Sequence, residues 1–115
     1  FVSHADMLDA LAASLASVQL SRMESFSRVL MEGWLSGTPA IVDAGCAVTR
    51  EHCAESGGGV WVGSAEEFAA VVDRLRGDPG LRAAMVAAGR GYVTRRYSWP
   101  AVLGRLEAAV REMAG

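Results

Sequence analysis

The stretch Arg22-Met-Glu-Ser-Phe-Ser-Arg-Val-Leu-Met-Glu-Gly-Trp-Leu-Ser-Gly-Thr-Pro-Ala-Ile-Val42 reads as a loop, a helix, a tight stop and a strand. Glu24 lies in the loop after an apolar run, and Glu32, beyond seven intervening residues, lies inside the helix. The helix is expected from about Phe26 to Ser36, with Gly37 where a left-handed backbone is tolerated. Pro39 to Val42 is apolar without alternation, the pattern of a parallel strand covered on both faces. A strand, a turn and a helix whose amino end carries acidic side chains can hold a phosphate and grip hydroxyls.

Working outward, Phe1-Val2 reads as the tail of a strand, and Ser3 with Asp6 resembles a capping box for a helix to about Ser14. Met7, Leu8, Leu11 and Leu15 recur at helical spacing, so one face of that helix is expected to be buried. Ala16 to Leu20 reads as a short strand. Ala44 to Gly59 reads as loop, with at most a helical turn near Thr49 to Cys53, before a strand at Val60-Trp-Val62. Ser64 and Glu67 form a second capping box, and Phe68, Val71, Val72 and Leu75 mark the inner face of its helix. Gly77 stops that helix, and Asp78-Pro79 opens another with Pro in the first turn, where its missing N–H costs nothing. After Ser98-Trp99-Pro100 a terminal helix carries Val102, Leu103, Leu106, Val110 and Met113 on one stripe. Strands alternating with helices imply an α/β fold with a parallel sheet, followed by a purely helical tail.

At 115 residues the chain is one domain or part of one, long enough for a true core. An opening that is not Met and reads as mid-strand suggests a piece of something longer. Apolar residues make up 51% and charged residues 21%, ordinary for a globular protein. A net charge of −2 recommends no nucleic-acid partner and no anionic membrane. All eleven cations are Arg, which removes the P-loop lysine and lysine-based covalent chemistry. Cys46 and Cys53 fit neither a disulfide framework nor a C-x-x-C site, so free thiols in a reducing compartment are expected. The expected location is the cytoplasm, including a peripheral place at the inner membrane face.

Open α/β sheets bind ligands at the carboxyl ends of their strands. The strand ending near Leu20 delivers Ser21 to Ser27 to that edge, and the amides of Ser25, Phe26 and Ser27 are expected to open the helix without intrahelical partners. Such a terminus carries roughly half a positive charge and attracts phosphate. Glu32 can accept two hydrogen bonds from a ribose diol, and Glu24 can hold sugar hydroxyls. The competing structural reading is that Arg28 and Glu32, four apart, form only a surface ion pair, and that Glu24 caps the helix.

The surrounding residues resemble a known family. Arg22-Met-Glu24-Ser-Phe26, the seven-residue gap to Glu32 and Gly37-Thr-Pro39 look like the C-terminal, donor-binding half of GT-B glycosyltransferases, most of all the retaining nucleotide-sugar enzymes of family 4. That group reads E-S-F-G, an apolar helix to E-A, then C-G-T-P-V. The Gly-rich turn before Val60, Asp78-Pro79, Ala88-Gly89-Arg90 and Arg96-Tyr97-Ser98-Trp99 follow in the family's order. The resemblance implies a Rossmann-like parallel sheet with flanking helices, a partial C-terminal domain. Residues 1–98 are then a truncated nucleotide-sugar-binding domain and residues 99–115 a crossover helix.

By this resemblance Glu24, Ser25, Phe26 and Ser27 contact the donor sugar, Glu32 the ribose, and Ser27 with Arg28 the diphosphate, while Phe1 to Ser3 falls near the nucleobase. The substrate is a nucleotide diphosphate sugar, the acceptor is unknown, and the reaction needs neither cofactor nor metal. Further strands, a basic pair and an N-terminal half belong to the family but not to these residues, so the fragment alone is expected to be inactive. Its terminal helix braces the N-terminal half in the family, so self-association or pairing with that missing half is expected. Two departures stand out: Ser27 for the usual Gly, and Gly33 for the usual Ala, with Trp34 filling space beside it. Two alternatives stay open, a non-hydrolysing sugar-nucleotide epimerase of the same architecture and a non-catalytic nucleotide- or protein-binding module. His4 and His52 are expected to be structural or solvent-facing, Asp43 to cap a loop or face the cleft, and Trp61 and Trp99 to be core. Thr49, Arg50 and Glu51 occupy the family's loop near the donor.

Overall fold

The computed structural model describes residues 3–114, so the strand reading of Phe1-Val2, and the nucleobase role given to them, lie outside the described residues. In chain order the elements are α1 (His4–Ala13), β1 (Ser17–Gln19), α2 (Arg28–Leu35), β2 (Ala40–Asp43), α3 (Ala47–Ser56), β3 (Gly59–Val62), α4 (Ala65–Gly77), α5 (Pro79–Tyr97) and α6 (Trp99–Ala114). The three strands form one parallel sheet in the order β1-β2-β3. Val18 pairs with Ile41, and Ile41 with Val60, so β2 is the central strand.

Alternation along β2 divides the core in two. Ala40 and Val42 face Leu30, Met31 and Trp34 of α2, Cys53 of α3, and Tyr92 and Val93 of α5. Ile41 faces the other way, onto Val62, Leu75 and Met85, with Leu15, Phe68, Val71, Val72 and Leu81 packed around them. Both faces of β2 are therefore covered, which is why its sequence shows no polar alternation.

Both expected capping boxes form their N-cap half, the return bond from Asp6 or Glu67 not being made, and Asp78 caps α5 in the same way. Ser3 Oγ accepts from the Asp6 amide, Ser64 Oγ from Glu67 and Asp78 Oδ1 from Leu81, at 2.9–3.1 Å. Gly37 takes φ +93°, and the amides of Gly37 and Thr38 bond the carbonyls of Trp34 and Gly33, a Schellman stop that turns the chain into β2.

Four expectations are corrected. Residues 44–59 are not mainly loop: α3 spans ten of them and buries Thr49, Cys53 and Ser56, whose polarity hides the helical spacing. α2 begins at Arg28 rather than Phe26, because Ser27 takes a left-handed conformation that no helical residue can share. Trp61 and Trp99 are 43% and 76% exposed, not core. The apolar face of α1 is only half-buried, since α1 packs mainly on α2 and holds no fully buried residue.

Candidate functional site

The link between β1 and α2 is shaped by one side chain that the sequence reading passed over, Gln19 at the end of β1. Its Nε2 donates to Glu24 Oε1 at 2.6 Å, and its Oε1 accepts from Ser27 Oγ at 2.7 Å. The amide thereby ties both ends of the Glu24–Ser27 segment to the carboxyl end of the strand. Ser27 is buried, with φ +69° and ψ +68°. A left-handed non-Gly residue costs roughly 1–2 kcal/mol, so the loop demands the conformation for which Gly is the natural choice. Ser27 meets that demand, and its hydroxyl makes a partly buried hydrogen bond that Gly lacks.

Because Ser27 is the N-cap, the unpartnered amides that open α2 belong to Arg28, Val29 and Leu30. This corrects the expectation for Ser25, Phe26 and Ser27, whose amides precede the helix. Ser25 and Phe26 are exposed in the loop, and Arg28 is exposed at the helix start. Arg28 Nε stands 3.2 Å from Glu32 Oε1, with the Glu32 side chain 18% exposed and the Arg28 side chain 84% exposed. The ion pair weighed against a ligand role for Glu32 is thus formed.

Facing the loop is the start of α3. A cleft of about 550 Å³ is lined by Arg22, Met23, Glu24, Ser25 and the Gly45–Val48 turn. The structure therefore brings Glu24 and Ser25 to a common cleft, whereas Glu32, Phe26, Ser27 and Arg28 are not among its lining residues. Asp43 closes the turn by accepting from the Gly45 amide at 2.7 Å, and Arg22 Nε lies 3.6 Å from the same oxygen. Asp43 is thus a loop-capping residue that also draws Arg22 to the cleft wall. At the head of α3 the Cys46 thiol is buried, and the Thr49 side chain and the first amides of α3 push its pKa down. Thr49 is buried against the Cys46 carbonyl, Arg50 donates to the Ala44 carbonyl at 3.3 Å, and Glu51 is exposed.

Behind Ser25 and Val48 the cleft adjoins a second cavity, of about 280 Å³, between α3 and the end of α5. The Phe26 ring meets His52 edge-on at 5.5 Å and Tyr97 at 5.0 Å. His52 Nδ1 lies 2.7 Å from Tyr92 Oη, which also donates to Glu55 Oε2 at 3.3 Å, while Arg96 pairs with the same carboxylate oxygen at 2.6 Å. Burial lowers the His52 pKa and raises that of Tyr92. Of the structural and solvent-facing readings expected for His52, the hydrogen bond to Tyr92 favours the structural one, whereas its link to Phe26 was hidden from sequence by the 25 positions between them. His4 is exposed on α1. Among the described residues no group of three or more His, Cys, Asp or Glu is placed to hold a metal ion, and no helix is long and apolar enough to cross a membrane.

A comparison with curated proteins and one with solved structures each returned no match. A family model described as "Glycosyl transferase-like" matches residues 1–108, nearly the whole chain. With a parallel α/β sheet, a left-handed turn into α2 and an acidic residue at the cleft beside it, the chain belongs to the glycosyl transferase-like family.

Proposed function

We propose that this chain carries part of the donor site of a retaining, GT-B-type glycosyltransferase acting on a nucleotide diphosphate sugar. Glu24 grips donor-sugar hydroxyls, because its carboxylate offers only acceptors and Gln19 leaves part of that capacity free. Ser25, Phe26 and Ser27 form the segment that passes the sugar. The opening of α2 turns its dipole and the Arg28 guanidinium toward the diphosphate, stabilising charge as the leaving group departs. Glu32 takes the ribose diol, exchanging its contact with Arg28 for the two hydroxyls. No metal or cofactor is assigned a part.

The observation that carries this reading is the conformation of Ser27. A loop that holds a non-Gly residue in a left-handed conformation, at a cost, favours a reading in which its shape serves the site.

Stereochemistry tests the reaction type. Proton NMR of the glucose first released from α-linked UDP-, GDP- or ADP-glucose by the full-length protein is expected to show the α anomer. Release of the β anomer contradicts retention. Residues 1–115 alone are expected to release none.

A further inference from the structure

We propose that His52, oriented by Tyr92, is a positioning residue that clamps Phe26 and through it fixes the loop presenting Glu24. The inference rests on reading the Glu24–Ser27 segment as the donor loop.

This segment has no regular backbone structure, and Ser27 holds an unfavourable conformation, so something outside the loop must over-determine its shape. Gln19 supplies one anchor, through hydrogen bonds at both ends of the segment. Phe26, between those ends, is held from the α3 and α5 side, its backbone hydrogen-bonded to His52 and its ring against aromatic neighbours. It meets His52 at 86° and Tyr97 at 75°, edge-to-face geometries that favour an aromatic ring over an aliphatic side chain.

His52 is in turn held from behind. Tyr92, itself edge-on to Trp34 in the core, meets its Nδ1 and shares Glu55 with Arg96. A continuous chain of ring contacts therefore runs from Trp34 through Tyr92 and His52 to Phe26. Phe26 is 41% exposed, so burial alone does not fix it. His52 and Tyr92 do not line the cleft of Glu24 and Ser25; their effect is on where those two residues stand in it.

Backbone ¹⁵N relaxation in the full-length protein reads the loop directly. In the wild type, order parameters for Ser25–Ser27 are expected near the rigid value of about 0.85, and in His52→Ala below about 0.6. His52→Phe, which keeps a ring against Phe26, is expected to restore rigidity. Tyr92→Phe, which keeps the core ring and removes only the hydroxyl, is expected to loosen the loop less than His52→Ala. Dissociation constants for UDP-, GDP- and ADP-glucose are measured on the same samples. Whichever donor binds the wild type is expected to bind His52→Ala about tenfold more weakly, with recovery in His52→Phe. A loop that stays rigid in His52→Ala overturns the clamp, whatever binds. A loop that loosens while none of the donors binds the wild type supports the clamp and refutes the donor reading. Loosening with unchanged donor affinity overturns the positioning role.

Discussion

Gly89 packs its α-carbon against a fully buried Trp34, and adding one methyl group there has a calculable consequence. A Cβ at position 89 stands 2.5 Å from both Cδ1 and Cγ of the indole, well inside any real contact. Trp34 cannot swing aside, because it is 0% exposed and its Nε1 donates to the Gly58 carbonyl at 2.8 Å. Overpacking of this kind costs about 1–3 kcal/mol, and displacing the indole from Gly58 costs about 1 kcal/mol more. Against this, Ala gains about 1 kcal/mol over Gly in a helix interior. The net expectation for Gly89→Ala is a loss of about 2 kcal/mol, lowering the melting temperature by roughly 10 °C. Gly91 on the same helix is the internal control, since a Cβ there meets only the mobile end of Arg95. Gly91→Ala is therefore expected to stabilise by up to about 1 kcal/mol. Urea denaturation of the two variants separates them by sign. If Gly89→Ala proves neutral or stabilising, the close Trp34 contact is wrong, and with it the packing of α5 on α2.

Other consequences follow from single groups. Burial depresses the His52 pKa in the folded state, so the unfolded chain binds that proton more readily. Stability is thus complete above about pH 6.5 and falls as pH drops through the folded-state value. Denaturation as a function of pH is expected to show a shallower acid decline in His52→Phe, and an unchanged decline refutes the assignment. The buried Cys53 thiol, pushed up to about 12, is expected to resist alkylation at mildly alkaline pH until the protein unfolds. Cys46, whose thiol is shifted down, should react before it, and mass mapping that finds Cys53 labelled first contradicts this. On α6, Leu103, Leu106, Val110 and Met113 are 49–87% exposed. Residues 1–115 alone are expected to self-associate through this stripe, and a monomer by sedimentation at high concentration counts against it.

The parts of the fold legible in the sequence are those with a local chemical cause. Ser3, Ser64 and Asp78 bond the amides three residues on, so their helix starts could be read from side-chain type alone. The uninterrupted apolar run at Ala40–Val42 likewise reflects the two faces it fills. α3 was illegible because its buried positions are Thr49, Cys53 and Ser56, polar or small residues satisfied by nearby carbonyls. Trp61 and Trp99 misled because hydrophobicity says what tends to be buried, not whether the fold has cover at that place. Of the residues singled out by the family-like spacing, Glu24 and Ser25 line the cleft and Glu32 does not. Gln19 was not legible, because its role depends on reaching Glu24 and Ser27 through space. The clamp on Phe26 was hidden for the same reason, since α3 and α5 deliver His52 and Tyr97 from distant parts of the chain.

Donor binding by the full-length protein probes the centre of the account most directly. Calorimetric titration with UDP-, GDP- and ADP-glucose is expected to give binding for at least one donor. Glu24→Ala and Glu32→Ala should each weaken that binding about tenfold or more, or about 1.4 kcal/mol. Identical affinities in the wild type and both variants would mean that neither carboxylate holds a sugar or ribose hydroxyl, and the donor site would have to be sought elsewhere.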